Sequence, residues 1–592
     1  MNPSKYIFSI KKIKFINNFI ELQKHLPKKR KLQYLTIFLI TVICAFFETI
    51  AVTSSVPFIS FLTNGEGINV NRFIKDIFTL FNAFEYENQF MILGIIFGLS
   101  IISASILRLV ILYLNIRFSE LIGLDIGKKI YFRSLNQPYI FHTKRTSSEL
   151  IDGISIKVDE AVSGINCFLQ LVSWALIFTG LITSLFLINY RIAITSSFIF
   201  ISIYFFIALF TSKRLLNNGK IIATKSKQLI EVIQDSFGGI RDIIIGKYQE
   251  SYTKKYETIE KLRRKKIAES NFITLSPKFI LEAIGYTLLI VFTLYLNYRY
   301  QSYLILSTLG GFAIGAQRLL PALQQIYANI SKIKTFRASF EKVLDLLNQP
   351  VERNSIKNTS KLNFSKSIQL KNVSFTYGDD SKYILNSINI DIKKGECIGI
   401  KGQTGAGKST LLDILMGLLK PTKGQFLIDG KNLYKRNDYI YEQWINNISH
   451  VPQSIFLTNS TIENNIAFGI DNKFIDYEKL NEILEICQLK TFISSLKYGY
   501  ETIVGERGIM LSGGQRQRIG IARALYMGSE VIFLDEATSS LDNHTEKKIM
   551  DSIYKLGNKI TIIIVAHRLS TLKSCDKIYE LKNNELILTD GL

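Results

Sequence analysis

The sequence predicts two folds in one chain, an α-helical membrane domain with six spans followed by an α/β domain built on a phosphate-binding loop. Long apolar runs fill residues 33 to 335, whereas residues 364 to 592 have the mixed charge of an α/β domain in contact with water. A glycine-rich loop ending in Lys-Ser lies at 402 to 409. Because 592 residues are too many for one hydrophobic core, we expect a cytoplasmic segment with an elbow helix (1–32), the membrane domain (33–335), a linker (336–363) and the α/β domain (364–592).

Six apolar runs are long enough to cross a bilayer, which takes about 20 residues. They cover roughly 33–62, 90–116, 161–188, 191–211, 279–298 and 303–330. Lys and Arg are enriched on the cytoplasmic side of membrane proteins. Here they precede the first span and fill the long polar segments after the second and fourth spans. Both termini and the α/β domain are therefore predicted to lie in the cytoplasm, with cytoplasmic turns near 146–149 and 238–241.

The net charge of +23 is compatible with two classes of partner, nucleic acid and anionic lipid. The basic residues flank the apolar spans and form no stripe on the α/β domain, so we expect membrane lipids and no nucleic acid. The five cysteines, at 44, 167, 397, 487 and 575, are scattered singly without the spacing of metal ligands. That pattern is typical of reduced, structural thiols.

The loop at 402 to 409 fits the pattern G-x-x-x-x-G-K-S, in which successive backbone N–H groups turn towards phosphates. An apolar strand is predicted before it, at 397–400, and a helix after it, at 409–415. The phosphates would therefore lie at a helix N-terminus, with Lys408 reaching the β and γ phosphates. The predicted nucleotide contacts in and beside the loop are Gly402, Thr404, Gly405, Ala406, Gly407, Lys408, Ser409 and Thr410.

Two adjacent carboxylates follow the apolar run 531–534, which is typical of a parallel strand buried on both faces. Asp535 is placed to hold Mg²⁺, and the Ser409 hydroxyl is the group that shares this ion in phosphate-loop proteins. Glu536 is the candidate general base for the attacking water. The predicted cofactors are therefore ATP and Mg²⁺.

The pentapeptide Leu-Ser-Gly-Gly-Gln at 511–515 lies between these two motifs. Ser512 is predicted to cap a helix that begins near Gln515, so that Gly513 and Gly514 expose amide donors at the positive helix end, where an anion belongs. With the phosphate loop and the acidic strand, the pentapeptide makes residues 364 to 590 resemble the nucleotide-binding domain of ABC transporters. The resemblance implies that this anion is the γ-phosphate of an ATP held by the opposite subunit, so that a second copy of the chain completes each site.

Three further residues take a role from this resemblance. Tyr377 matches the aromatic that stacks on adenine, Gln453 the glutamine that touches Mg²⁺, and His567 the switch histidine at the γ-phosphate. The alternatives are that Tyr377 packs on the core and that His567 is structural. The resemblance also implies an export-type transporter, whose first cytoplasmic turn rests on the partner's nucleotide-binding domain.

Charges inside the apolar runs are the clue to the cargo, because one Arg or Lys at mid-bilayer costs about 2.5 to 3.5 kcal/mol. Arg108 and Arg318 lie within apolar runs, Lys278 starts the fifth span, and Glu48 and Glu282 are the matching acids. In one interpretation the arginines pair with these acids to hold the helices together, while Lys278 extends to the membrane interface. In the other, a cavity open to the cytoplasm presents the three cations to an anionic headgroup.

The segments around these charges, 48–59, 277–285 and 318–321, resemble those of bacterial flippases for lipid-linked oligosaccharides. In that family basic residues of the cavity engage the pyrophosphate of a polyprenyl-linked glycan, which makes Arg108, Lys278 and Arg318 candidate substrate contacts. Lys278 departs from the expected arginine and lacks its bidentate fork. The resemblance thus implies a homodimeric, ATP-driven flippase in the cytoplasmic membrane.

Other functions stay open at this level. The chain could export another lipid, a peptide or a drug, or it could be an ATP-gated channel with the same fold. A soluble ABC ATPase acting on ribosomes or DNA is a different class, and six apolar spans argue against it.

Overall fold

The computed structural model describes residues 17–64, 86–188, 190–299, 302–351, 362–378, 382–435, 439–555, 560–566 and 568–589. The chain forms two compact units. The first comprises residues up to 137 together with 145–351, and the second comprises 138–144 together with residues from 352 onwards. The second unit therefore includes a short segment that lies, in sequence, within the first.

The first unit is helical throughout its described residues. Its helices are α1 (17–25), α2 (Lys28–Asn64), α3 (Tyr86–Leu135), α5 (Ser147–Ile154), α6 (Ile156–Ile188), α7 (Tyr190–Gly238), α8 (Ile240–Ile245), α9 (Gln249–Leu275), α10 (Pro277–Arg299) and α11 (Ser302–Asn348); helix α4 is Tyr139–Thr143. The long helices combine an apolar run with a polar extension, and α7 ends at Gly238, where the second turn is predicted.

Four helical stretches in the described residues are long and apolar enough to cross a membrane, namely Lys28–Ser55, Phe90–Leu135, Ser147–Phe186 and Phe198–Gly238. They overlap the first four predicted spans. The fifth and sixth predicted spans fall on α10 and α11, and their membrane crossing stays a prediction. The apolar helices make the chain an integral membrane protein.

Two hydrophobic clusters hold the helices of the first unit together. One joins α1 to α3, α6 and α11 through side chains such as Phe19, Leu22, Ile122 and Phe340. The other joins α2, α6, α7, α10 and α11. Helices α7 and α11 approach so closely at Gly219 that a Cβ there would lie 2.1 Å from the carbonyl oxygen of Thr335. Any side chain at position 219 would therefore force the two helices apart.

The second unit contains two sheets. Strands β1 (Ser367–Phe375), β2 (Leu385–Lys393), β4 (Lys423–Ile428) and β5 (Lys431–Asn432) form an antiparallel sheet in the order β2-β1-β4-β5. The other sheet has the order β10-β9-β3-β8-β7-β6 and consists of β3 (Cys397–Gly402), β6 (Ile448–Val451), β7 (Val531–Asp535), β8 (Thr561–Val565), β9 (Lys577–Lys582) and β10 (Glu585–Thr589). Strands β9, β3, β8, β7 and β6 are parallel.

The helices of the second unit cover these sheets and connect the parallel strands. They are α12 (Lys408–Leu415), α13 (Ile440–Ile445), α14 (Ile462–Ile466), α15 (Tyr477–Ile486), α16 (Lys490–Ser494), α17 (Gly513–Tyr526), α18 (Asn543–Lys555) and α19 (Leu569–Leu572). Because the strands are parallel, the carboxyl ends of β3, β8, β7 and β6 share one edge of the sheet. Ligands bind at this edge in α/β proteins.

Helix α4 belongs to this second unit. Ile140 packs against the hydrophobic core that contains Ile398, Leu411 and Phe533. Helix α4, which precedes the first predicted turn at 146–149, therefore packs within the α/β unit of its own chain. The expectation that this turn rests on the partner's domain stays a prediction. The place of α4 could not be read from the sequence, because an apolar residue near a turn does not say which chain buries it.

Candidate functional site

The phosphate loop connects the end of β3 to the start of α12 as predicted from the sequence. Gly405 has a φ of 82° and Gly407 a φ of 102°, a left-handed conformation that glycine adopts without strain. Lys408 is buried, and its Nζ donates hydrogen bonds to the carbonyl oxygens of Gly402 at 2.8 Å and Gln403 at 3.0 Å. These two hydrogen bonds hold the start of the loop against the Lys408 ammonium group. The first N–H groups of α12 have no partner within the helix and can bind an anion.

Strand β7 brings Asp535 and Glu536 to the same edge of the sheet. Burial and the neighbouring Glu536 raise the pKa of Asp535, while Lys408 opposes the shift. Glu536 has a φ of 50°, and its Oε2 accepts a hydrogen bond of 2.8 Å from Nε2 of Gln453, which follows β6. Two acidic side chains crowded at one strand end are a suitable place for a divalent cation, because the cation relieves their repulsion.

Asp413 on α12 is a third carboxyl group in this region, and sequence reasoning missed it. Burial and the charge of Asp535 raise the pKa of Asp413 to about 6. No sequence motif marks Asp413, because its pKa is raised only in the folded protein, where the residue is buried and close to Asp535. The carboxylates therefore repel one another at neutral pH.

Replacing Asp413 with Asn is expected to stabilise the protein at about pH 7.5 by on the order of 1 kcal/mol after solvent screening. The raised pKa means that the folded state favours the protonated acid, so stability falls as pH rises from about 4 to about 6 and the cost persists above that range. Thermal melting at about pH 5 and about pH 7.5 measures the difference. Asp391→Asn, at an exposed carboxylate bound to Gln369, serves as the control. An equal gain at both pH values would contradict the expectation.

The pentapeptide at 511–515 forms the predicted helix cap. The Ser512 Oγ accepts a hydrogen bond from the Gln515 backbone N–H at 3.2 Å, and the Gln515 side chain accepts one from the Ser512 N–H at 2.8 Å. Gly513 begins α17 next to Ser540. A cavity of about 540 Å³ is lined by Gly513, Ser540 and Gln453, among others. The N-terminus of α17 and the glutamine that contacts Glu536 therefore line one cavity.

Tyr377 and His567 are the remaining residues that the resemblance assigns to the nucleotide. Tyr377 packs edge-on against Phe375 with ring centroids 5.0 Å apart, and its hydroxyl lies 3.4 Å from the Thr410 Oγ. The aromatic is thus both packed on the core and close to the phosphate-loop helix. His567 lies outside the described residues, so its role stays a prediction.

The charges of the first unit form a cluster that the sequence only partly predicts. Glu48, whose side chain is 1% exposed, forms ion pairs with both Arg108 and Arg318. The Arg108 Nε lies 3.0 Å from Oε1, and the Arg318 Nη1 donates to Oε2. One carboxylate therefore joins α2, α3 and α11. Removing one member of such a buried group typically costs about 3 to 5 kcal/mol, because the others lose their counter-charge.

Lys278 and Glu282 form a separate pair on α10. The Nζ of Lys278 lies 3.8 Å from the Glu282 Oε1, one helical turn away, and the lysine side chain is about half exposed. In one of the two interpretations of the sequence, the two arginines pair with Glu48 and Glu282. That pairing is wrong for Glu282, because the nearer cation for it is Lys278 on its own helix.

Comparison with known proteins agrees with this architecture. The family model described as ABC transporter matches residues 385–539. The heterocyst differentiation ATP-binding protein HepA of a Nostoc species is 30% identical over 471 residues, which cover 77% of this chain and 73% of HepA. An ATP-dependent lipid A-core flippase of Ralstonia nicotianae is 26% identical and covers 79% of each chain.

Other matches cover different shares of the chain. The leukotoxin export protein LtxB of Aggregatibacter actinomycetemcomitans is 40% identical over 266 residues, which span only 36% of LtxB. A solved structure of a bacterial Atm1-family ABC exporter with ATP bound superimposes with a TM-score of 0.76 at 21% identity, over 94% of each chain.

The second unit is thus an ABC ATPase domain, fused to a helical membrane unit in the arrangement of an exporter. The chain belongs to the ABC transporters, and its fold is that of the export type.

Proposed function

We propose that this protein uses ATP to move an anionic amphiphile outwards across the cytoplasmic membrane, with a polyprenyl-pyrophosphate-linked oligosaccharide as the cargo. The observation that carries the cargo class is the intramembrane group of Arg108, Arg318 and Glu48, which bears one net positive charge among apolar helices. A net positive charge is costly among apolar membrane helices, and a negatively charged ligand would offset that cost.

Two identical chains would form the working unit, with the ATPase domains and both termini in the cytoplasm. ATP would bind between the phosphate loop of one chain and the Ser512 helix cap of the other. Lys408 and the amides of Gly405 and Gly407 would hold the phosphates, and Tyr377 would contact adenine.

Mg²⁺, held by Ser409, Gln453 and Asp535, would supply positive charge to the phosphates. Glu536 would accept the proton of the attacking water. Its contact with the Gln453 amide, at 2.8 Å, orients the carboxylate without neutralising it. His567 would act as the switch histidine at the γ-phosphate.

The cargo is tested by flipping of a fluorescently labelled polyprenyl-pyrophosphate-linked glycan in proteoliposomes. Arg108→Ala and Arg318→Ala are each expected to lower ATP-dependent flipping by about 10- to 100-fold, because charge-assisted hydrogen bonds to phosphate are strong in an apolar site. Lys278→Ala is expected to have a smaller effect, since this lysine already faces Glu282 on its own helix.

Arg117→Ala is the matched control for this experiment. Arg117 lies on α3 like Arg108, but its guanidinium is exposed and bonds to the Tyr113 hydroxyl at 2.9 Å. Wild-type flipping in the Arg108 and Arg318 variants would remove the pyrophosphate cargo from the proposal. The assignment to the ABC transporters would be unaffected.

A different exported lipid is the second candidate. The similarity to lipid A-core flippases, which reaches 28% identity over 80% of this chain for the flippase of Coxiella burnetii, favours it. Flipping assays with a phosphorylated glycolipid in place of the polyprenyl carrier would separate the two cargoes.

A further inference from the structure

Glu48 is the central group of the intramembrane cluster, and its geometry suggests a role other than structural pairing. Both of its oxygens face guanidinium groups, one from α3 and one from α11. A carboxylate and a phosphate compete for the same donors, because both accept the planar N–H fork of arginine. Glu48 therefore occupies the groups that an anionic cargo would use.

The two arginines are held unequally. Arg318 donates a hydrogen bond to Glu48, whereas Arg108 contacts the other carboxylate oxygen at 3.0 Å without hydrogen-bond alignment. That oxygen, Oε1, is buried and accepts no well-aligned hydrogen bond among the described residues. The Arg108 Nη2 makes a long contact of 3.4 Å with the Ser105 Oγ. The Arg108 side chain is also 36% exposed, compared with 16% for Arg318.

We infer that Glu48 is a release residue, a carboxylate that competes with the phosphate of the cargo for Arg108 and Arg318 and so limits how tightly the cargo is held. This inference rests on the proposed function. When the phosphate binds, Arg108 turns its weakly held fork from Glu48 to the cargo. When the cargo leaves, Glu48 takes the guanidinium back, so that the carboxylate again contacts both arginines.

Competition by Glu48 should lower the affinity for the cargo and raise the maximal flipping rate. A competitor built into the site weakens ground-state binding of the cargo and speeds its departure, so removing the competitor should do the opposite. Glu48→Gln keeps the size of the side chain and removes its charge. It is expected to lower the apparent KM for a labelled polyprenyl-pyrophosphate-linked monosaccharide about tenfold, because one opposing charge leaves the site. The maximal flipping rate is expected to fall about tenfold, since release becomes slow.

A structural role for Glu48 predicts a different result. Loss of a helix-joining group lowers the yield of folded protein or the rate, but it gives no tighter binding. The double variant Glu48→Gln with Arg108→Gln returns the net charge of the cluster to its original value of one. It should therefore bring the KM back to the wild-type value or above, and it also provides a folded reference if the single variant is unstable. Glu48→Asp, which keeps the charge, should restore the wild-type KM.

Asp125→Asn is the matched control. Asp125 on α3 binds the Arg30 Nε on α2 at 2.8 Å, so this change removes a carboxylate between the same two helices away from the cluster. Its KM should be that of the wild type. A KM for Glu48→Gln that is unchanged or raised, while the wild-type protein flips the probe, would overturn the inference alone. Failure of the wild-type protein to flip the probe would overturn both the proposed cargo and the inference.

Discussion

Replacement of Glu536 by Gln is expected to reduce ATP hydrolysis by about 10²- to 10⁴-fold, the usual contribution of a general base. The amide oxygen of the new side chain can still accept the hydrogen bond from the Gln453 Nε2, so the local structure is preserved. Only the ability to take a proton from water is lost. ATP should then remain bound, and the ATPase domains should stay associated in the ATP-bound form.

The measurement is phosphate release by the purified protein, together with the amount of ATP retained after rapid gel filtration. Glu530→Gln is the control, because Glu530 is a carboxylate of the same domain whose side chain forms the surface pair with Lys394 at 3.0 Å. Its hydrolysis rate should equal that of the wild type. Normal hydrolysis by Glu536→Gln would show that another group acts as the base.

The nucleotide site could be predicted from the sequence to a large extent, because each motif is local. The phosphate loop, the acidic pair after β7 and the Ser512 cap each lie within about ten residues, and the backbone of such a segment determines where its donors point. The predicted strands at 397–400 and 531–534 are parts of β3 and β7. The parallel pairing of β3, β8, β7 and β6 then brings the motifs to one edge of the sheet.

The pairings between distant side chains could not be predicted in the same way. Asp413 acquires its raised pKa from burial and from Asp535, more than 100 residues away, and Glu48 meets Arg318 across the helix bundle. The number of acids and bases in the apolar runs suggests that pairs form but does not determine the partners. Glu282 pairs with Lys278, which lies four residues before it on the same helix, and not with one of the arginines on other helices.

A mixed dimer is expected to show whether the Ser512 cap acts on the ATP of the other chain. Lys408→Ala removes a buried ammonium group from the phosphate loop, and loss of such a preorganised charge typically costs about 10²- to 10³-fold in rate. Gly513→Asp places a carboxylate at the first turn of α17. A negative charge is compatible with a helix N-terminus, and a Cβ at this position would be 3.3 Å from the Ser540 Cβ, so the helix should form. The carboxylate would repel the phosphate. Each variant alone should therefore be inactive as a homodimer.

If the sites are shared, a dimer of one Lys408→Ala chain and one Gly513→Asp chain keeps one intact site, because both changes fall on the same composite pocket. A dimer of one wild-type chain and one chain with both changes keeps none, although it carries the same two substitutions. Each mixed dimer can be purified through two different affinity tags, and tightly bound ATP per dimer is then measured. One ATP in the first dimer and none in the second is the expected result. If each site lay within a single chain, the second dimer would retain one ATP and the first would have none, because the wild-type chain would then carry a complete site.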